Sequence, residues 1–350
     1  MDFGSDNQSG VSPQVLQALV DACSGTTASY GNDPWTRQAE AAIARVFAHD
    51  VRVFFVATGT AANCLALSAL VPPWGAILCH RHAHIANDES TAPEFFTGGA
   101  RLLPIATDSG KLTPAVLRDA LARLPDAPPH SVRPAALSLT QATENGLVYT
   151  AEELRALTAL AHRHGLHVHM DGARFANAVA ALDCTPGELT AEAGIDVLSF
   201  GASKNGALTA EAVVFFDTAL ADGFELRRKR AGQLLSKGRL LGAQFSAWLQ
   251  DNHWLDLARR ANASATRLAD VLRAHEEIRL AWPVQANEVF AVMPQALHAR
   301  LRSAGVQCYD WPADSLPADA RPTQDQTVLR FVTSWCTTAE EITALEGLLS

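Results

Sequence analysis

The chain has 350 residues, 48% of them hydrophobic and 19% charged, enough to bury a large core and to exclude global disorder. Its 37 acidic against 28 basic side chains give a net charge of −9, which argues against sequence-independent nucleic-acid binding, since that needs a basic surface. The six cysteines show no C-x-x-C spacing, so neither a disulfide scaffold nor a structural zinc site is expected.

The opening "MDFGSDNQSG" has no basic segment followed by an apolar run. No signal peptide is expected, and the expected location is the cytoplasm. "VRVFFVA" (51–57) reads as a buried strand that runs into a helix through "GTAANCLALSAL". The most apolar stretch, "CLALSALVPPWGAILC", is broken by Pro72 and Pro73 and is too short to span a bilayer. "AILC" and "RLLPI" are further strands. "TPAVLRDALARL" begins with Thr113 as a cap and Pro114 at the first helical position. After the strand "AALSLT", the helix "TAEELRALTALAHRHG" opens on a capping box, Thr150 with Glu153, and closes on Gly165. "LHVHM", "DVLSF" and "EAVVFF" are three more strands. Strands alternating with helices indicate an α/β fold with a mainly parallel sheet covered on both faces.

Beyond Phe216 the texture changes. "GFELRRKRAGQLLSKGRLLGAQFSAWL" and "DLARRANASATRLADVLRAH" read as long amphipathic helices. Short strands follow ("NEVFAVM", "VLRFVTSW"), with a Pro- and Asp-rich loop and a last helix capped near Thr338. The expected division is an N-terminal arm (1–15), a large domain (16–240) and a smaller C-terminal α+β domain (241–350).

Parallel sheets bind ligands where their strands end, so the residues just after each strand are the candidates. Thr58-Gly59-Thr60 opens a helix after "VRVFFVA", and free amides there suit a phosphate. The absence of G-x-G-x-x-G argues against a nicotinamide cofactor. Asp171 ends the buried strand "LHVHM" and needs a partner. Arg174 would make this an ordinary ion pair; a cationic ring nitrogen would make it a cofactor contact. Lys204, 33 residues on, lies among small residues, with Gly201 and Gly206 to either side. Such glycines suit a lysine that must approach a bulky cofactor, and its amine can form a Schiff base. A phosphate turn, an aspartate and a lysine in this order point to pyridoxal phosphate.

"GSDNQSG", "YGNDPWTRQAE", "ATGTAAN", "HMDGARFANA", "SFGASKNG" and "VTSW" stand in the order found in the low-specificity L-threonine aldolases, which the chain resembles over nearly its whole length. These are fold-type I pyridoxal phosphate enzymes of the beta-eliminating lyase group. The resemblance implies a seven-stranded, mainly parallel sheet in the large domain and a homotetramer built as a dimer of dimers with shared active sites. It implies cleavage of L-threonine and L-allo-threonine to glycine and acetaldehyde. No metal, nucleic-acid or membrane partner is implied.

Residue by residue, Lys204 resembles the Schiff-base lysine and Asp171 the partner of the ring nitrogen. Gly59, Thr60 and Ser203 resemble phosphate ligands. His84 resembles the histidine stacked on the ring near the substrate hydroxyl, and is the candidate base; it would otherwise be one of a surface group with His80 and His82. His130 resembles a second histidine near that hydroxyl. Ser5, Arg174 and Arg330 resemble the seat of the α-carboxylate, and Asp88 is placed to bear on β-carbon stereochemistry. Lys237 or Arg239 is expected to reach a neighbouring subunit's phosphate. One departure is "SLTQATENG", where the family often has acid-Asn-Thr-His-Asn. A phenylserine-preferring aldolase, another fold-type I lyase and an aminotransferase are the rival readings.

Overall fold

Seven short apolar runs build the main sheet of this computed structural model, which describes residues 1–349. They are β1 (Arg52–Val56), β2 (Gly75–His80), β3 (Arg101–Ile105), β4 (Arg133–Thr140), β5 (His167–Gly172), β6 (Val197–Gly201) and β7 (Glu211–Phe215). Their spatial order is β1-β7-β6-β5-β4-β2-β3, and only β7 runs against the others. Every residue of β6 and β7 is buried, which is why these strands read as unbroken apolar runs.

The chain up to Leu182 supplies eight α-helices: α1 (Pro13–Ala22), α2 (Pro34–Phe47), α3 (Gly59–Leu70), α4 (His84–Asn87), α5 (Ala92–Phe96), α6 (Pro114–Ala122), α7 (Ala151–Arg163) and α8 (Phe175–Leu182). The caps at Thr113 and Thr150 sit where the sequence places them, and Thr58 is a third. Thr58, Thr113 and Thr150 each accept a hydrogen bond from the amide three residues on, and Glu153 completes the capping box. The aromatic core on one face of the sheet joins Phe47, Phe175, Phe200, Phe245, Trp248 and Trp254. Such ring pairs add about 0.5–1.5 kcal/mol each beyond their buried area. Phe200 lies at the centre of this cluster, so β6 is held firmly just before the turn that carries Lys204. The other face is covered by α3 and by α9 (Phe224–Arg230).

The first long helix expected beyond Phe216 is in fact two, α9 and α10 (Arg239–Leu249). Gly232 takes φ +74°, a left-handed conformation that ends a helix, and the following segment crosses the N-terminal loop, where Tyr30 N donates to Ser236 O at 3.0 Å. Helix α10 packs against α1 and α2 in the large core. The long α11 (His253–Arg273) passes from that core at Leu257 to a second one at Leu268 and Leu272. The second core is faced by an antiparallel sheet in the order β10-β11-β9-β8, made of β8 (Arg279–Leu280), β9 (Glu288–Pro294), β10 (Tyr309–Asp310) and β11 (Gln326–Val332), with α12 (Gln295–Ser303) and α13 (Ala339–Leu349). The N-terminal arm is sewn to this unit. Phe3 is fully buried in its core, and its backbone bonds Gln307 and Val332. That seam brings the start of the chain to the edge of the main sheet.

Candidate active site

The connections after β1, β5 and β6 meet at one cavity of about 330 Å³ at the carboxyl edge of the sheet. Gly59, Thr60, His84, Asp171, Ser203 and Lys204 all line it. A second cavity of about 230 Å³ shares Asn7, His84, Glu144 and Lys204 with the first, and Ser5, Asp88, Arg174 and Arg330 also line it. Eleven candidate residues were expected at the site, and these two spaces gather all but one. The exception is His130, exposed on the loop before β4 and on neither wall, so its placement does not support the role expected of it.

The open turn after β1 follows from helix geometry. The first bonds back to Thr58 come from Ala61 and Ala62, which leaves the Gly59 and Thr60 amides at the open first turn of α3. Beyond Gly59 a side chain would meet nothing within 4 Å, so the cavity opens at that point.

Asp171 is buried, and its partner is not Arg174. Its Oδ2 accepts from Asn63 Nδ2 at 2.8 Å, and its Oδ1 from the Ala173 amide at 3.0 Å. Arg174 turns away. Its Nε and Nη2 grip the two Asp6 oxygens at 2.7 and 2.9 Å, and Nη1 lies 3.2 Å from Glu288. Burial alone would raise the Asp6 carboxyl, but the charge and hydrogen bonds of Arg174 outweigh it and hold Asp6 at about 2. The plain reading of the Asp171–Arg174 pair is therefore wrong. Asp171 keeps lone pairs to spare while facing the cavity, as a ring-nitrogen partner must. The strand beneath it is pinned by a buried chain in which Ser138, His169 and Ser199 bond across β4, β5 and β6 at 2.9 Å each. Burial pushes that histidine down to about 4, so it acts as a neutral strut.

The Lys204 turn is also clamped from behind. Asn205 Nδ2 donates to Trp254 O and Trp248 Nε1 donates to Asn205 O, both at 2.8 Å. Chain packing alone already requires the flanking glycines. A Cβ on Gly201 would lie 2.9 Å from Ala173 Cα, and Gly206 takes φ +93° with Leu257 2.7 Å from its would-be Cβ. No hydrogen bond or ion pair holds Lys204 Nζ among the described residues. Ser203 Oγ already accepts from Ala210 N at 3.1 Å. Burial pushes the adjoining Glu211 carboxyl up to about 7, against the pull of Ser203 and Lys204.

His84 carries a partner that the sequence reading missed. Its Nδ1 lies 2.8 Å from Glu89 Oε1, and the same oxygen accepts from Asn63 Nδ2 at 2.9 Å. One amide thus bridges the carboxylate behind His84 and the carboxylate of Asp171. The hydrogen bond to Glu89 is the main reason His84 is held above the usual imidazole range, against burial. The other histidines of the segment are engaged elsewhere: His82 with Asp314 at 2.6 Å and His80 with Thr107 at 2.8 Å. In the departing "SLTQATENG" run, Gln141 is spent on the Tyr149 backbone at both ends.

A beta-eliminating lyase family model matches residues 2–296. The low specificity L-threonine aldolase of Pseudomonas aeruginosa is 42% identical over 98% of this chain and 95% of its own. That of a Pseudomonas species (strain NCIMB 10558) is 44% identical over 88% of each. Among solved structures, the threonine aldolase of Leishmania major superposes with a TM-score of 0.91 at 29% identity, covering 99% and 98% of the two chains. Family match, sequence identity over nearly the full length and shared architecture agree, and the chain belongs to the beta-eliminating lyase family, within its threonine aldolase branch, with the fold-type I architecture of the pyridoxal phosphate enzymes.

Proposed function

We propose that the protein is a pyridoxal phosphate-dependent aldolase that cleaves L-threonine, L-allo-threonine and related β-hydroxy-α-amino acids to glycine and an aldehyde. The observation that carries the reading is the convergence of Lys204, Asp171, His84 and the free first-turn amides of α3 on one cavity. The orphaned donors of α3, the Asp171 carboxylate and the unengaged Lys204 fit the cofactor's phosphate, ring nitrogen and aldehyde in that order. When bound, pyridoxal phosphate supplies a sink for the electron pair left on Cα as the Cα–Cβ bond breaks.

The chain's own residues do the rest. The Gly59 and Thr60 amides hold the phosphate. Asp171 keeps a proton on the ring nitrogen, and Lys204 provides the covalent attachment. Arg330, with Arg174 behind it, holds the α-carboxylate, which decides which bond at Cα is set for cleavage. Arg330 is the freer of the two: its guanidinium stacks 4.7 Å from the Trp311 ring centre and its buried Nε has no partner. With Nδ1 engaged by Glu89, His84 has Nε2 left to take the proton of the β-hydroxyl.

Incubation of the holoenzyme with L-threonine and no keto acid should release acetaldehyde and glycine in equal amounts. A requirement for a keto acid would sink the reading in favour of an aminotransferase. A phenylserine preference is the second reading, supported by Tyr309 and Trp311 on the wall of the smaller cavity. Side-by-side initial rates decide between them.

Because Glu89 holds the proton on His84, Glu89→Gln should move the acidic limb of kcat/KM for L-threonine to lower pH. The base is the neutral imidazole, and a histidine with its pKa lowered becomes neutral at lower pH. An unmoved limb would remove His84 as the titrating base. The assembly we propose is a cytoplasmic dimer of dimers. Exposed apolar side chains at Trp74, Phe95 and Leu226 support an oligomer. Arg239 is tied to the Ser24 and Gly25 carbonyls, which leaves Lys237 as the freer candidate for a neighbour's phosphate.

A further inference from the structure

Glu288, the first residue of β9, is buried between Arg174 and Arg330. Its Oε1 lies 3.2 Å from Arg174 Nη1 and 3.8 Å from Arg330 Nη1. Neither of its oxygens accepts a hydrogen bond among the described residues, and the buried Arg330 Nε donates none. An ion pair with its lone pairs unfilled compensates poorly for the loss of water. Asp6, by contrast, takes both arms of Arg174 and a further bond from Asn287 at 3.0 Å.

The charged groups that face Glu288 come from four places: Arg174 after β5, Arg330 on β11, Asp6 in the N-terminal turn and Glu144 after β4. With Glu288 ionised, the two guanidiniums are already outnumbered before any substrate enters. An incoming α-carboxylate would add one more negative charge to the same pair.

We infer that the carboxylate seat is proton-linked: Glu288 takes up a proton from solvent as the substrate's carboxylate binds, and so releases the arginine pair to it. The inference rests on the reading that Arg330 and Arg174 seat the α-carboxylate. Burial pushes the Glu288 carboxyl up to about 7 against the pull of Arg174 and Arg330, so the proton can be gained near neutral pH. The arriving anion raises that affinity for a proton further. The sign is then fixed. Above pH 7 or so, binding must draw a proton from an ever scarcer supply, and the Kd for a carboxylate ligand rises up to about tenfold per pH unit.

Glycine binding to the holoenzyme tests this, with heats measured at pH 8 in two buffers of different ionisation enthalpy. The wild type should take up about one more proton per glycine than Glu288→Gln, and its log Kd should climb with pH by about one unit more steeply. Equal proton counts and parallel slopes would overturn the inference. So would a Kd raised by Glu288→Gln at every pH with the slope unchanged, since Glu288 would then merely support Arg174. Should the variant not fold, the wild type is compared with glycine and with methylamine, which has the amine but no carboxylate; equal proton counts would again overturn it. Proton uptake with glycine in a protein that cleaves no threonine would support the seat and sink only the aldolase reading.

Discussion

Replacing Lys204 with alanine is expected to lower threonine cleavage on the order of 10³-fold or more, the scale of losing a covalent catalytic group. The fold should survive. The turn is held by Asn205, Trp248 and Trp254 and not by the lysine side chain. Thermal unfolding should therefore occur at nearly the wild-type temperature. After loading with pyridoxal phosphate and reduction with borohydride, mass spectrometry should find the cofactor's mass on position 204 of the wild type and nowhere on the variant. Near-normal acetaldehyde release by Lys204→Ala would remove the residue from the mechanism.

Asp171→Asn carries the second large effect. The substitution keeps the shape and the bond from the Ala173 amide, but it deletes the charge that keeps the ring nitrogen protonated and turns an NH2 toward Asn63 Nδ2, so the Asn63 bond is lost. Losing a preorganised electrostatic contact of this kind costs about 10²–10³-fold in kcat. The Asn63 amide keeps its bond to Glu89 and one of two nearby carboxylates is gone, so the loss of the Asn63–Asp171 bond should lower the unfolding temperature by only a few degrees. Stopped-flow and steady-state rates at saturating cofactor separate this from weaker cofactor binding. An unchanged kcat would show that Asp171 holds structure and not charge.

Both residues could be named from the chain alone because each belongs to a short, local pattern. A buried strand that ends on a chemistry-bearing side chain, or a few small residues before one, is a statement about a few consecutive residues, and strand ends in a parallel sheet share one edge. The helix caps were legible for the same reason. Where the local pattern was ambiguous, it misled. The stretch from Gly223 to Leu249 keeps helical spacing through Gly232, and only the crossing of the N-terminal loop shows why two helices are needed. Gly201 and Gly206 were rightly singled out, but for packing against Ala173 and Leu257. The adjacent acids Asp88 and Glu89 look alike in sequence. Helix α4 ends just before them, leaving Asp88 exposed and Glu89 buried against His84.

By itself, then, the sequence determined the seven strands of the main sheet, the family, and which residues stand at the ends of β1, β5 and β6. Those are consequences of periodicity and of turn chemistry within a few residues. The tertiary structure decided who pairs with whom. Asp6 meets Arg174 across 168 positions, Asn63 meets Asp171 across 108, and Glu288 faces two arginines from different elements. Charge pairing in a buried site depends on distance in space and on the water excluded, and neither leaves a mark on the local pattern of a chain.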